Sequence, residues 1–229
     1  MTDNDFCLPR KAVLALGFDE AAGAPGGKAA LPLQALGEHL PLADREIARL
    51  LVEEALAAGL TELIFITAEG YAAAGSAILS TATRPPREII VPRHGTGATL
   101  EQALCSIREL IGGEAFVVIA PRNPVVARRG AVQRLLEAYR AEGGNLATVA
   151  DVMTLRQKGT FAAIEQAAAG HYLLQAEILE SLAENPQQGL AAALLAQAEA
   201  WPVTALPLEV SAQPAAPAVG QGANAEAAE

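Results

Sequence analysis

Two stretches of the sequence combine glycine with cationic or hydroxyl side chains in the manner of an anion site, and a third carries a lone arginine after an apolar run. Gly26-Gly27-Lys28 closes a loop rich in Ala and Gly; successive backbone N–H groups beside an ammonium can cradle a phosphate, and the same composition also serves as a plain flexible turn. Arg93-His94-Gly95-Thr96-Gly97-Ala98-Thr99 leads into a helical pattern, so its amides and the Thr99 hydroxyl either face an anion or cap the helix. Ala120-Pro121-Arg122-Asn123 follows an apolar run, and Arg122 brings a fixed positive charge to its end. Gly26, Gly27, Lys28, His94, Gly95, Gly97, Thr99 and Arg122 are thus the candidate ligand-binding residues, suited to holding a phosphate. His39 reads as a partly exposed loop histidine rather than a catalytic one.

Composition narrows the partners. The formal net charge is −10, whereas binding to a nucleic-acid backbone needs a cationic face that displaces counterions. Nucleic acid and anionic membrane are therefore not expected partners. Cys7 and Cys105, the only two cysteines, allow neither a disulfide framework nor a zinc cluster, which fits a reducing compartment. The N-terminus is acidic where a secretory signal is basic, and no apolar run reaches the roughly 18 residues of a spanning helix. The expected location is cytoplasmic.

The elements that must position these loops alternate along the chain. Residues counted as hydrophobic make up 52% and aromatics only 4%, a composition for Ala-rich helices packed on a sheet. Strands are expected at 11–16, 62–67, 88–92 and 115–120, and helices at 44–58, 100–111 and 130–142, with Thr99 and Gln102 spaced as a capping box. A weaker strand follows at 146–152. This alternation predicts an α/β fold of doubly wound type, with a mostly parallel central sheet and helices on both faces in three layers. Beyond Val152 the pattern weakens to a short strand at 172–174, helices at 176–183 and 190–200, and a strand at 203–208. Leu50, Leu51, Ile64, Ile66, Val117 and Val118 are expected to form one continuous core. Residues 1–210 read as one domain; 211–229, made of Ala, Pro, Gln, Gly and Glu with almost no large apolar side chain, read as a disordered tail.

In this order of elements the sequence resembles the bacterial UTP–glucose-1-phosphate uridylyltransferase family. The resemblance runs from Lys11-Ala12-Val13-Leu14, through Pro41-Leu42-Ala43-Asp44 and Val52-Glu53-Glu54-Ala55 to Gly59-Leu60-Thr61-Glu62, then through Ile111-Gly112-Gly113-Glu114. It ends on Gly170-His171-Tyr172-Leu173-Leu174, similar to the family's Gly-Arg-Tyr-Val-Leu, and Ala176-Glu177-Ile178. It implies a Rossmann-like nucleotidyltransferase fold and a shortened, divergent member.

The resemblance also implies losses. Where the family has a Gly-rich loop ending in Thr-Arg to hold the triphosphate, this chain has a longer loop bearing Asp19 and Glu20. Gly37 stands in place of the lysine of Pro-Lys-Glu-Met-Leu-Pro. Arg122 stands in place of the Mg²⁺-binding carboxylate of Leu-Pro-Asp, and 189–195 carries no counterpart of a second metal-ligand aspartate. The segment between Val152 and Gly170 is shorter than the family's sugar-binding stretch. On these losses, no catalytic residue and no metal ligand is assigned. Three readings stand: a non-catalytic or regulatory relative that binds nucleotide or sugar phosphate and associates with itself or an active relative; an active uridylyltransferase rebuilt around Lys28 and Arg122; and a protein-interaction module. No cofactor is expected under the first, and Mg²⁺ under the second.

Overall fold

The computed structural model describes residues 7–16, 42–67, 88–90, 99–120, 130–149, 152–185 and 189–207. The tail at 211–229 lies outside them. Aliphatic runs form β1 (Lys11–Leu16), β2 (Glu62–Thr67), β3 (Glu88–Ile90) and β4 (Phe116–Ile119), and α1 (Leu42–Ala57) joins β1 to β2. These four strands are parallel to their neighbours among themselves. The helix expected over 100–111 is present but divided into α2 (Leu100–Ser106) and α3 (Arg108–Ile111). The Ser106 hydroxyl bonds the Ala103 carbonyl at 2.7 Å, a local bond that competes with the helical ladder. Lys11 Nζ then closes the end of α3, donating to the Leu110 and Ile111 carbonyls at 2.9 and 2.8 Å.

The second half adds α4 (Ala131–Glu142), β5 (Asn145–Val149), α5 (Val152–Lys158), α6 (Thr160–Ala167), β6 (Ala168–Leu174), α7 (Ile178–Glu184), α8 (Leu190–Gln197) and β7 (Val203–Pro207). The seven strands lie in the order β3-β2-β1-β4-β6-β5-β7. Only β6 runs against both of its neighbours, β4 and β5; β7 is parallel to β5. The sheet is mostly parallel, as expected.

Strand alternation sends successive side chains to opposite faces, and the core is accordingly two clusters. On one face Val13, Ile64, Ile66 and Val118 meet apolar residues of α2, α3, α6, α7 and α8. On the other, Leu14, Phe65, Val117 and Leu173 meet Leu51, Val52 and Ala55 of α1 and Val132, Leu135 and Tyr139 of α4. The fold is a three-layer α/β/α sandwich. The expected single core is corrected in two ways: its strand residues divide between the faces, and Leu50 is 38% exposed, because the face of α1 turned to the sheet is the one carrying Leu51, Val52 and Ala55, and Leu50 lies at its edge beside the crevice.

Candidate functional site

The fold itself marks a site. From β1 the sheet grows outward to β2 and β3 on one side and to β4 on the other, so the gap between β1 and β4 is where strand order reverses, and open α/β sheets bind ligands beyond the carboxyl ends of such strands. Leu14 of β1 lies opposite Ile119 of β4. The ends of β1 and β4, after which two of the three candidate anion motifs follow in sequence, therefore stand side by side at one edge of the sheet. The exit from β4 is fixed by the Ala120 N–H, which donates to the Gly170 carbonyl at 2.6 Å.

Of the candidate residues, Thr99 is within the described part of the chain. Its hydroxyl accepts the Gln102 N–H at 3.3 Å and its own N–H donates to Gln102 Oε1 at 3.1 Å, the reciprocal capping box expected from the sequence. Gly26, Gly27, Lys28, His94, Gly95, Gly97 and Arg122 lie outside the described residues, as do Gly37 and His39.

Two glutamates missed by sequence reading have defined roles. Helices α4 and α8 begin after Gly130 and Gly189, neither of which has a side chain to cap them. Glu54 Oε1 on α1 accepts the Val132 N–H at 3.2 Å, and Glu101 Oε1 on α2 accepts the Leu190 N–H at 3.1 Å. Each carboxylate satisfies an orphan donor and meets the positive end of a helix dipole. Burial pushes the Glu54 carboxyl above its ordinary value, and the N–H groups of Val132, Ala131 and Gly130 oppose that rise. The second oxygen of Glu54 lies 3.9 Å from His171 Nε2 on β6. A crevice of about 290 Å³ between α1 and α4, lined by Leu50, Ala57, Ala58, Gly130 and Gln133, opens onto Glu54.

No family model matches the sequence. A UTP–glucose-1-phosphate uridylyltransferase of Komagataeibacter xylinus is 25% identical over 162 residues, which span 56% of this chain and 57% of that protein. The chain thus matches little more than half the length of that relative. Among solved structures, a UDP-glucose pyrophosphorylase complexed with UDP-glucose superposes with a TM-score of 0.61 at 18% identity, covering 88% of this chain and 91% of the other. The chain is thus similar in sequence to one uridylyltransferase over part of its length and shares the fold of UDP-glucose pyrophosphorylases. A UTP-bound UDP-glucose pyrophosphorylase of Acinetobacter baumannii has the same fold, with a TM-score of 0.62 at 17% identity, covering 88% and 87%.

Against the uridylyltransferase pattern, the stretch 189–195 is informative because it is described: Leu190, Ala193 and Leu194 are core residues of α8 and Leu195 is exposed. The element that the resemblance aligns with a metal-binding aspartate is here a helix packed on apolar neighbours. Among the described residues no helix is long and apolar enough to cross a membrane.

Proposed function

We propose that this chain is a uridylyltransferase-like protein without efficient nucleotidyl transfer, which binds a nucleotide or sugar phosphate beyond the ends of β1 and β4 and acts in regulation, by associating with itself or with an active relative. The observation that carries the reading is the junction at the end of β4. β4 ends beside β1, and the sequence that follows it, Ala120-Pro121-Arg122-Asn123, has Arg122 where the resemblance puts a carboxylate. Magnesium takes hard, anionic oxygen ligands and usually holds the substrate phosphates through one or two carboxylates. A guanidinium offers only donors and repels the cation. The residues present do not fit Mg²⁺ there, and α8 supplies no second carboxylate in 189–195. What they do suit is the phosphate itself, through Arg122 and the Gly26-Gly27-Lys28 amides and ammonium.

The test is pyrophosphate release from UTP and glucose 1-phosphate with Mg²⁺, followed beside an active uridylyltransferase. The expected result is no release above a blank. Removing one preorganised charge from such a site commonly costs about 10²–10³ in rate, and here the lysine and carboxylate positions that act on one transition state are changed together. Sustained turnover by the wild type overturns the reading in favour of a rebuilt active site, and its loss in Lys28→Ala or Arg122→Ala then identifies the residues of that site.

A further inference from the structure

β7 is the last strand of the sheet, and among the described residues its far side has no partner strand. Its register decides which backbone groups face outward. Asn145 pairs with Val203 and the Asn145 N–H donates to the Pro202 carbonyl at 2.8 Å, so Pro202, Thr204 and Leu206 turn their backbone groups to β5. The N–H and C=O of Val203 and Ala205, and the C=O of Pro207, therefore point away from the sheet. Sheet edges are ordinarily blunted by charge, by a bulge or by shortness. The opposite edge, β3, is three residues long and starts on Glu88. β7 has five residues and no charged side chain, and its register to β5 is regular. Val203 and Ala205 pack against one core cluster and Leu206 against the other, which holds the strand in place and leaves its outer edge presented.

Helix α4 supplies charges beside this edge. Arg134 donates to the outward Pro207 carbonyl at 3.0 Å, and the Glu142 carboxylate accepts the Thr204 hydroxyl at 3.4 Å. The two side chains start about 12 Å apart along the helix, so a positive charge stands at the end of β7 and a negative one near its start. A two-fold axis through Ala205 uses all of these groups. In an antiparallel pair of β7 strands centred there, the two Ala205 residues exchange both of their N–H···O bonds, and each Val203 N–H meets the Pro207 carbonyl of the other copy. Pro207 has no N–H of its own, which ends the ladder at that point. The same rotation sets Arg134 of each copy beside Glu142 of the other. With a net charge of −10, copies of this chain repel one another in general; this strip is uncharged along the strand and self-complementary at its ends.

We propose that β7 is a self-association edge: two copies pair antiparallel about Ala205 into one continuous sheet, and Arg134 and Glu142 set the register. A strand pair of this length covers less than the roughly 1,200–2,000 Å² of a stable interface, so the dimer is weak and forms with rising concentration. The inference gives a surface to the self-association named in the proposed function. Its readout is mass and not nucleotide binding, so either reading can fail without the other.

Analytical ultracentrifugation of the full chain at about 1 to 100 µM, the range in which weak pairs dissociate, tests this. The wild type is expected to move from 23.6 kDa towards twice that mass as concentration rises. Ala205→Pro removes only an outward N–H, which an edge strand tolerates. It takes the two central bonds of the dimer with it, and the dissociation constant is expected to rise about tenfold or more. Arg134→Glu and Glu142→Arg each set like charges against one another and are expected to weaken the dimer; the double variant restores opposite charges and is expected to recover most of its strength. Should Ala205→Pro fail to fold by circular dichroism, the charge series decides. A wild type that stays monomeric throughout overturns the proposal. A dimer of unchanged strength in folded Ala205→Pro, or in both single charge variants, overturns it equally, because that dimer uses another surface.

Discussion

The Glu101 carboxylate on α2 accepts the Leu190 N–H at 3.1 Å, and so begins helix α8 from a residue 89 positions earlier in the chain. The side chain is buried, so removing it takes this acceptor from the Leu190 N–H. Glu101→Ala is expected to destabilise the fold by about 1–3 kcal/mol, the usual cost of leaving a buried donor unsatisfied. Glu101→Gln keeps an acceptor and should cost less than half as much. Urea midpoints decide: a Glu101→Ala protein as stable as wild type shows that the first turn of α8 has another acceptor.

Gly144 is held by contact as well as by conformation. Its φ is +77°, and a Cβ there meets the Pro202 carbonyl oxygen at 2.4 Å, the same oxygen that accepts the Asn145 N–H at 2.8 Å. Gly144→Ala must therefore push apart the segment that brings β7 onto β5. The expected loss is about 2–4 kcal/mol, combining a left-handed backbone with an overpacked contact. A midpoint shift equivalent to less than about 0.5 kcal/mol sinks the contact.

Val117 and Leu50 give a paired prediction. Val117 is wholly buried on β4 between β1 and β6, so Val117→Asp places an unpaired carboxylate in the centre of the sheet. That costs several kcal/mol against a total stability of about 5–15, and no soluble native protein is expected. Leu50→Gln, on the exposed side of α1, is expected to stay within about 0.5 kcal/mol of wild type. Native Val117→Asp protein by circular dichroism and gel filtration refutes the assignment of β4 as a central strand.

The contrast between Leu50 and Leu51 shows what periodicity can and cannot settle. A stripe of apolar residues announced α1, but two adjacent leucines point about 100° apart, and only packing chose Leu51. The strands β1, β2 and β4 were legible because they are buried aliphatic runs, and Thr99 because its capping partner is three residues away. Helices α5 and α6 were missed, since Val152–Ala167 has no sustained stripe and is broken by Gly159. Strand β6 was seen only at its Tyr172-Leu173-Leu174 end; Ala168, Ala169 and Gly170 have little strand propensity of their own and extend beside β5, where Val149 pairs with Ala168, and beside Ala120, whose N–H donates to the Gly170 carbonyl. The roles of Glu54 and Glu101 depend on partners 78 and 89 residues away, a separation that local patterns do not encode.

The last prediction concerns how nucleotide binds if the proposed function holds. In a metal-dependent site, carboxylates hold Mg²⁺ and the ion bridges to the phosphates, so the cation strengthens binding. In this chain the resemblance puts Arg122 at that position, and Lys28 follows β1 in sequence, so under the proposed function the protein's own cations meet the phosphates. Mg²⁺ on the nucleotide then neutralises the charge those side chains recognise. Thermal shifts with UTP are therefore expected to be as large in EDTA as with Mg²⁺, or larger, and to shrink as salt screens the contact. Arg122→Ala should abolish the shift. Arg122→Asp should restore a Mg²⁺-dependent shift only if a second carboxylate lies within reach, and the absence of one from 189–195 predicts that it does not. A shift that appears only with Mg²⁺ in the wild type shows that carboxylates outside the aligned positions hold the ion, and removes the reason for regarding the site as metal-free.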